Sequence, residues 1–245
     1  PGPGTGTDDS TTYYVPSTSG TSWRTSVNSF STNTAYTGAV ASSDLISTGS
    51  SVMLNDRFFY VNVTEGVIRV FDGTQDNIFL TMPSGYTVGG MNVFNGTMYI
   101  SARTATANYV FSVDTVGRLT QIGAAVAGSN SVRALGFNAG GLFVCRESSP
   151  AEIYRITLST ATSATAWTLD YTAPANTNRI VMASFVGLLH IGLSGTGALT
   201  ADVLQRSAAG VYSSVDTATG AASDVGSLVV YQGRLYASWL NYDGT

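Results

Sequence analysis

The sequence predicts an all-β chain built from repeated units of four short strands. An aromatic or imidazole side chain recurs at one position of a short repeated pattern, in the order Phe59, Tyr99, Phe143, His190 and Tyr236. The spacings between these positions are 40, 44, 47 and 46 residues. The surrounding runs are rich in Val, Ile, Tyr and Phe and end at Gly, Asn, Asp, Ser or Pro, which is typical of strands. No stretch keeps the 3.6-residue apolar period of a helix, so we expect essentially all β structure.

Each unit begins with two strands joined by a tight turn. The turn contains Gly or Asn, because these residues tolerate the positive φ that such a turn requires. We expect the first strands at residues 51–54, 91–94, 132–137, 180–185 and 228–231. The second strands follow the turns at residues 57–60, 97–100, 141–144, 188–191 and 234–237.

Two further strands complete the first four units. The third strands are expected at residues 67–71, 109–113, 153–156 and 201–204. The fourth strands are expected at residues 78–80, 118–122, 166–169 and 210–213. Four short strands in a unit of about 40 to 50 residues is the pattern of a β-propeller blade. A sandwich or barrel has no such fixed period and is the weaker alternative.

The last unit ends after its second strand, and the N-terminal segment can supply the strands it lacks. Residues 12–15 resemble a third strand and residues 22–27 a fourth. Joining the two chain ends in one blade covers the edges that an open ring would expose. We therefore predict one domain over residues 1–245, with five blades, a flexible lead at 1–11 and a long loop or insertion at 28–50. Six or more blades remain possible if the natural chain is longer.

Composition excludes several classes of function. Of the 245 residues, 11% are charged and the net charge is −4; all 11 basic residues are Arg, and they are scattered singly. No basic stripe is available for nucleic-acid phosphates. The longest apolar run, residues 180–193, is too short to cross a bilayer. One Cys and one His make an internal disulfide impossible and a zinc site improbable, so we expect no metal and no cofactor.

Few residues are candidates for catalysis. A glycosidase could draw carboxylates from different blades, for example Asp72, Asp114 and Glu147. We favour the alternative that Asp72 and Asp114 cap turns at strand ends. His190 stands where other units have Tyr or Phe and is expected to pack between blades. Cys145 lies in an apolar stretch and is expected to be a buried small hydrophobe. We therefore predict no catalytic residue.

Loops at one face of the ring are the better candidates for binding. Loops between second and third strands share a face with the links that lead into the next inner strand. The polar residues expected there, and predicted to contact a sugar or a partner protein, are Arg103, Asn108, Glu147, Asn176, Arg179 and Asn241.

Three short stretches carry a resemblance to a known group of proteins. They read Val-Phe-Asn-Gly-Thr-Met-Tyr-Ile at 93–100, Val-Tyr-Gln-Gly-Arg-Leu-Tyr-Ala at 230–237 and Arg-Val-Phe-Asp-Gly-Thr at 69–74. In these repeats, over residues 51–245, the chain resembles the propeller modules of tailed-phage virion proteins, such as nozzle, tail-tip and fibre proteins.

The resemblance implies a non-enzymatic structural or adhesive module of a virion or an extracellular assembly. Its partners would be other subunits, or a glycan or protein of a host surface. The alternative is a secreted lectin-like or glycan-processing propeller, related in function to sialidases and other glycosidases. The two differ in whether carboxylates from several blades meet in one pocket.

Overall fold

The protein consists almost entirely of antiparallel strands. The computed structural model describes residues 13–16, 23–26, 51–62, 65–128, 130, 132–138, 140–175, 177, 179–194, 201–217 and 222–241. The only helical element in this part of the chain is one 3₁₀ turn, Leu158–Thr160. No helix found there is long and apolar enough to cross a membrane. The predicted all-β class is confirmed.

Four sheets each contain four strands in simple sequential order. Sheet 1 consists of β3 (Ser51–Leu54), β4 (Arg57–Asn62), β5 (Val67–Phe71) and β6 (Asp76–Thr81). Sheet 2 consists of β7 (Thr87–Phe94), β8 (Thr97–Arg103), β9 (Ala107–Val113) and β10 (Leu119–Gln121). Sheet 3 consists of β12 (Val132–Asn138), β13 (Gly141–Arg146), β14 (Glu152–Thr157) and β15 (Thr168–Thr172). Sheet 4 consists of β16 (Arg179–Phe185), β17 (Leu188–Ser194), β18 (Asp202–Arg206) and β19 (Tyr212–Thr217).

The remaining strands form two pairs and one short addition. Sheet 5 is the pair β20 (Ala222–Tyr231) and β21 (Arg234–Asn241). Near the N-terminus, β1 (Tyr13–Pro16) pairs with β2 (Trp23–Ser26). A two-residue strand, β11 (Val126–Ala127), adds to the start of β9 and has no counterpart in the prediction.

The predicted fourth strands begin too early in sheets 3 and 4. In sheet 3 the Trp167 indole Nε1 donates at 2.8 Å to the Ala124 carbonyl, in the link that follows β10 of sheet 2, and the chain joins its own sheet only at Thr168. In sheet 4 Gly210 belongs to the turn, because its N–H donates to the Ser207 carbonyl at 3.0 Å. The predicted lead at 1–11 and the loop at 28–50 lie outside the described residues.

Tight turns join the first two strands of the sheets, as predicted. Asn55 and Asp56 both have positive φ, as do the pairs Asn95-Gly96, Val186-Gly187 and Gln232-Gly233. Two successive positive φ values define the type I′ turn, whose twist matches that of the strands it joins. These turns, with those between third and fourth strands, form what we call the lower end. The loops between second and third strands and the links between sheets form the upper end.

Neighbouring sheets pack face to face along the chain order. Side chains alternate between the two faces of each strand, so each sheet contributes apolar side chains to both neighbours. The interface of sheets 1 and 2 buries Ile68 and Met98, and that of sheets 2 and 3 buries Phe137 and Val144. The interface of sheets 3 and 4 buries Ile153 and Leu189, and that of sheets 4 and 5 buries Val203 and Val225. The position that repeats through Phe59, Tyr99, Phe143 and His190 faces the next sheet.

Polar side chains also join first strands to their neighbours. The Asn92 Nδ2 on β7 donates to the Leu135 carbonyl on β12 at 2.8 Å. On β16 the Ser184 hydroxyl donates to the Phe137 carbonyl at 2.7 Å and accepts the Phe137 N–H at 3.2 Å. First strands have one edge without a partner strand, and these bonds satisfy part of the exposed backbone. The first strands therefore lie side by side around a common centre.

Candidate functional site at the upper end of the central cavity

One cavity lies where the first strands of the five sheets come together. Its volume is about 230 Å³. Each first strand contributes to its wall, through residues that include Ser51, Asn92, Leu135, Met182 and Ser227. Met182 and Leu135 give the wall an apolar part, and Asn92 and the two serines give it hydrogen-bonding groups. A mixed lining of this kind is typical of a site for a small molecule.

Glu147 and Arg179 bring opposite charges to this cavity. Glu147 follows β13 in sheet 3, and Arg179 is the first residue of β16 in sheet 4. Both positions belong to the upper end, and both side chains are half-buried. The two residues are 32 positions apart in the sequence and meet only because sheets 3 and 4 are neighbours.

Backbone hydrogen bonds hold the loop that carries Glu147. The Ala151 N–H donates to the Thr177 carbonyl at 2.7 Å, and the Ala173 N–H donates to the Ala151 carbonyl at 2.9 Å. The Ser148 hydroxyl closes the loop on itself by donating to the Pro150 carbonyl at 2.7 Å. The loop of sheet 3 is thus fastened to the link into sheet 4, which fixes where Glu147 can lie.

A hydrogen bond to sheet 5 holds the Arg179 side chain. Its Nη2 donates to the Gly226 carbonyl of β20 at 3.2 Å, so the side chain crosses from sheet 4 to sheet 5. A guanidinium has five N–H donors, and a planar group of this kind binds carboxylates and other oxyanions well. Arg179 therefore ties sheet 4 to sheet 5 at the wall of the cavity.

Cys145 lies two residues before Glu147 and is not suited to act as a nucleophile. Its side chain is completely buried. Burial, and secondarily the charge of Glu147, raise the pKa of the Cys145 thiol far above its usual range. Because only the thiolate attacks, this Cys is inert at neutral pH. The prediction of a buried small hydrophobe is confirmed.

The structure separates the predicted binding residues into different environments. Glu147 and Arg179 line the cavity, whereas Arg103 lies exposed at the end of β8. Asn108 is buried and fixes a link: its Nδ2 donates to the Gly128 and Asn130 carbonyls at 3.1 and 2.8 Å, and its Oδ1 accepts the Val132 N–H. Asn241 is the last residue of β21, and Asn176 lies outside the described residues. Their roles in binding stay predictions.

The sequence did not indicate the contribution of Asn92, Ser51 and Ser227. Ser51 and Asn92 lie on predicted first strands, whereas Ser227 lies just before the predicted strand at 228–231 and belongs to β20 only in the structure. The one available signal was the polar Asn92 inside an apolar run.

The carboxylates suggested for a glycosidase do not meet. Asp72 Oδ1 accepts the N–H groups of Thr74 and Gln75 at 2.9 and 2.8 Å. These backbone hydrogen bonds lower the pKa of Asp72 to about 2. Asp114 Oδ1 binds its own turn in the same way, through the N–H groups of Val116 and Arg118. Both turns are at the lower end, opposite Glu147, so the prediction that Asp72 and Asp114 cap turns is confirmed.

The fold and the cavity together define a propeller-type protein with a central site. Among solved structures, the chain is similar to a luciferin-regenerating enzyme, at 12% identity and a TM-score of 0.56, over 76% of this chain and 68% of that one. It is also similar to an inactive variant of virginiamycin B lyase from Staphylococcus aureus, at 11% identity and a TM-score of 0.47, over 80% and 79% of the two chains. No protein-family model and no curated protein matches the chain.

The likeness to the luciferin-regenerating enzyme corrects the prediction of a non-enzymatic module. The propeller-type fold is shared with that protein, which is named as an enzyme. The prediction of a structural role rested on short repeats that resemble those of phage propeller modules. Folds of this kind carry many unrelated functions, so the repeat pattern by itself does not indicate a structural role. The expectation of a structural or adhesive, non-catalytic module is therefore wrong.

Proposed function

We propose that this protein is an enzyme of the propeller class that converts a small substrate in the central cavity. The observation that carries the proposal is the meeting of Glu147 and Arg179 at that cavity, on elements of different sheets. The volume of about 230 Å³ is below that of sites for drug-sized ligands, so the substrate is small. The likeness in fold to one enzyme supports a catalytic role.

The two charged side chains suit a proton-transfer reaction. A carboxylate such as that of Glu147 can take a proton from a substrate carbon or from water. A guanidinium such as that of Arg179 can bind a substrate carboxylate or carbonyl and stabilise the negative charge that develops on its oxygen. Asn92 adds a polar group to the cavity wall. We assign Glu147 as the acid or base and Arg179 as the group that orients the substrate.

Proton exchange in heavy water tests this assignment across many candidate substrates at once. A panel of small keto acids and carboxylic esters is incubated with the protein in D₂O, and deuterium uptake or turnover is followed by NMR. We expect the protein to act on at least one compound. Glu147→Gln should abolish the reaction and leave binding in place, and Arg179→Gln should weaken binding. Arg103→Gln, at an exposed strand end, is the matched control.

The proposal fails if no compound of the panel binds or reacts, or if Glu147→Gln reacts as fast as the unchanged protein. Arg179 also binds the Gly226 carbonyl, so thermal melting of each variant is measured alongside. A loss of reaction without a change in melting temperature assigns the effect to chemistry.

We also propose that the five sheets are the blades of one ring and that the β1–β2 pair completes the fifth. Sheet 5 has two strands in the described part of the chain, and the other sheets have at least four. Apolar side chains of sheet 5 are exposed, among them Val229, Tyr231 and Tyr236. The β1–β2 pair is antiparallel, as third and fourth strands are.

Removal of residues 1–27 tests the completed ring. We expect the shortened chain to melt at a lower temperature and to regain stability when a peptide of residues 1–27 is added, but not with a scrambled peptide. Equal stability of the shortened and full chains would contradict the proposal.

Location and partners stay predictions from the sequence. The luciferin-regenerating enzyme is not named as a phage protein, so it lends no support to the resemblance to tail modules. An extracellular location, and binding to other subunits or to a host-surface glycan, can be tested by fractionation and by a glycan array.

A further inference from the structure

A second cavity lies between sheets 1 and 2 at the lower end of the molecule. Its volume is about 240 Å³, and it is separate from the central cavity in every residue that lines it. Its apolar wall includes Leu54 and Phe59 from sheet 1 and Met98 and Val113 from sheet 2. Phe59, Met98 and Val113 are otherwise buried in the core of this interface. We call this cavity the lower slot.

The repeat explains why the lower slot is open. At the next interface, between sheets 2 and 3, Phe94 stacks on Phe137 with ring centroids 4.6 Å apart, and Tyr99 packs against the same ring at 5.1 Å. The turn-based alignment places Leu54 where Phe94 stands, because each is the last residue before the tight turn. By the same alignment Val93 stands where Phe137 does. Two aromatic rings that fill the second interface are thus missing from the first.

The missing rings set the shape and chemistry of a ligand. An apolar cavity of about 150 Å³ is enough to hold a benzene molecule. The lower slot is larger than this, and the Phe79 ring, which packs edge-on against Phe59 at 4.9 Å, forms part of its wall. An aromatic ring entering the slot would contact these side chains as Phe137 contacts Phe94 and Tyr99.

Charged groups at the rim of the slot determine which polar group a bound ligand would carry. Arg57 is exposed at the slot, and in the described part of the chain no hydrogen bond or ion pair engages its guanidinium. It acts on the Asp72 carboxylate only through its charge, while that carboxylate binds its own turn. Asp114, also at the rim, accepts two N–H groups of its turn. Because both carboxylates already accept hydrogen bonds within their own turns, the charged donor that remains at the rim is the Arg57 guanidinium.

We propose that the lower slot binds a small aromatic carboxylate, with its ring between sheets 1 and 2 and its carboxylate on Arg57. The site is independent of the central cavity and of the reaction proposed there. Because it joins two sheets, its ligand would also stabilise the packing of sheet 1 on sheet 2.

Binding of 3-phenylpropionate, with the neutral 3-phenylpropan-1-ol as its control, tests the proposal. Isothermal titration should show saturable binding of the acid to the unchanged protein. Leu54→Phe introduces the ring that Phe94 supplies at the next interface and should weaken binding by about tenfold or more. Arg57→Gln should weaken binding of the acid by up to about fivefold and leave the alcohol unaffected. Glu147→Gln, at the central cavity, should change neither.

Methyl NMR of the unchanged protein gives an answer that does not depend on any variant. Addition of the acid should shift the methyl signals of Met98 and Val113 and leave that of Met182 in place. The proposal is overturned if the acid does not bind saturably, if Met182 shifts instead, or if Leu54→Phe folds and binds as well as the unchanged protein. It is also overturned if Arg57→Gln weakens acid and alcohol alike.

Discussion

Asp170 joins two sheets through a buried ion pair. Its two carboxylate oxygens accept Nε and Nη2 of Arg206, each at 2.7 Å, and Oδ2 also accepts the Tyr212 hydroxyl at 2.8 Å. The Asp170 and Arg206 side chains are only 6% and 8% exposed. Burial alone would raise the pKa of Asp170, but the hydrogen bonds and positive charges of Arg206 and Arg155 lower it below its usual value. The pair fastens β15 of sheet 3 to β18 of sheet 4.

Loss of the Asp170 charge should therefore be costly. Asp170→Asn leaves the buried Arg206 without a counter-charge, and we expect a loss of about 3 kcal/mol in the free energy of unfolding. Asp76 accepts Arg69 and Tyr60 in sheet 1 in a similar arrangement but is 41% exposed, so Asp76→Asn should cost less than about 1 kcal/mol. Urea unfolding of both variants measures the difference. If both variants lose the same free energy of unfolding, burial of the ion pair does not determine its contribution to stability.

His190 is a second buried polar group between sheets. It is 4% exposed and faces the Gln205 amide, whose nitrogen lies 3.0 Å from His190 Nε2. The amide nitrogen can only donate, so the neutral ring carries its proton on Nδ1. That nitrogen is buried and has no hydrogen bond of good geometry among the described residues. Burial lowers the pKa of His190 below its usual value of 6.5, against a smaller opposing effect of the Leu188 backbone.

The shift of His190 predicts a loss of stability in mild acid. The unfolded chain protonates this residue near pH 6.5, whereas the folded protein does so only at lower pH. Between these two pKa values the unfolded state holds more protons, so the free energy of unfolding falls as pH falls. Below the folded-state pKa this loss is complete. Melting temperatures between pH 7.5 and 5.5 should fall more in the unchanged protein than in His190→Phe. Parallel curves would contradict the prediction.

Single residues were predictable where the repeat determines their environment. The period placed His190 among interblade aromatic positions, and its apolar neighbours indicated that Cys145 is buried. The Asp170–Arg206 pair could not be predicted, because its members are 36 residues apart and lie on outer strands of different sheets. Pairing between sheets depends on their relative position, which the repeat does not specify.

At the scale of elements, the turns between first and second strands carry the clearest local signal. Gly and Asn at these turns predicted positive φ, and the structure confirms it. Strand ends were less predictable in sheets 3 and 4, because side chains such as Trp167 bond to a neighbouring sheet. Val186 is an exception to the turn pattern, since it has φ of 50° although its side chain is branched at Cβ.

Replacement of Val186 should stabilise its turn. A side chain branched at Cβ is strained at positive φ, whereas Asn adopts this conformation readily. Val186 is 80% exposed, so little packing is lost. We expect Val186→Asn to raise the free energy of unfolding by about 1 kcal/mol.

The reciprocal change Asn95→Val is the matched control. Asn95 stands at the same position of the turn in sheet 2, with φ of 48°, so this substitution should lower stability by a similar amount. Thermal and urea unfolding measure both effects. If the Asn95→Val variant is as stable as the unchanged protein, positive φ at this turn position does not strain a side chain branched at Cβ.

At the scale of the whole molecule, close contact between sheets 4 and 5 depends on Gly192. A Cβ at this position would lie 2.4 Å from Val225 Cγ1 and 2.8 Å from Val181 Cγ2. Both neighbours are branched at Cβ, so they cannot turn aside easily. The repeat predicted the blade pattern, but it carries no sign of which glycines lie against a neighbouring sheet.

Gly192→Ala should accordingly separate sheets 4 and 5. We expect a loss of about 1–3 kcal/mol in the free energy of unfolding. At Gly136, between sheets 3 and 4, the closest obstacle is the end of the Leu189 side chain at 2.5 Å, which can rotate, so Gly136→Ala should cost less. A Gly192→Ala variant as stable as the unchanged protein would contradict this account of the interface.

The candidate site was only partly predictable for a similar reason. Glu147 and Arg179 were predicted to lie at one end of the molecule, and they do. The arrangement of the sheets around a centre brings Glu147 and Arg179 to the same cavity as Asn92. The same arrangement buries Asn108 in a link between strands. No motif in the sequence indicates a reaction at this cavity.

The most direct test is a crystal structure of the Glu147→Gln variant with a compound that the unchanged protein converts. We predict that the compound lies in the central cavity, with an oxygen on the Arg179 guanidinium and its reacting atom next to position 147. A compound bound at the lower slot or at another surface, with the central cavity empty, would contradict the assignment of the central cavity as the active site.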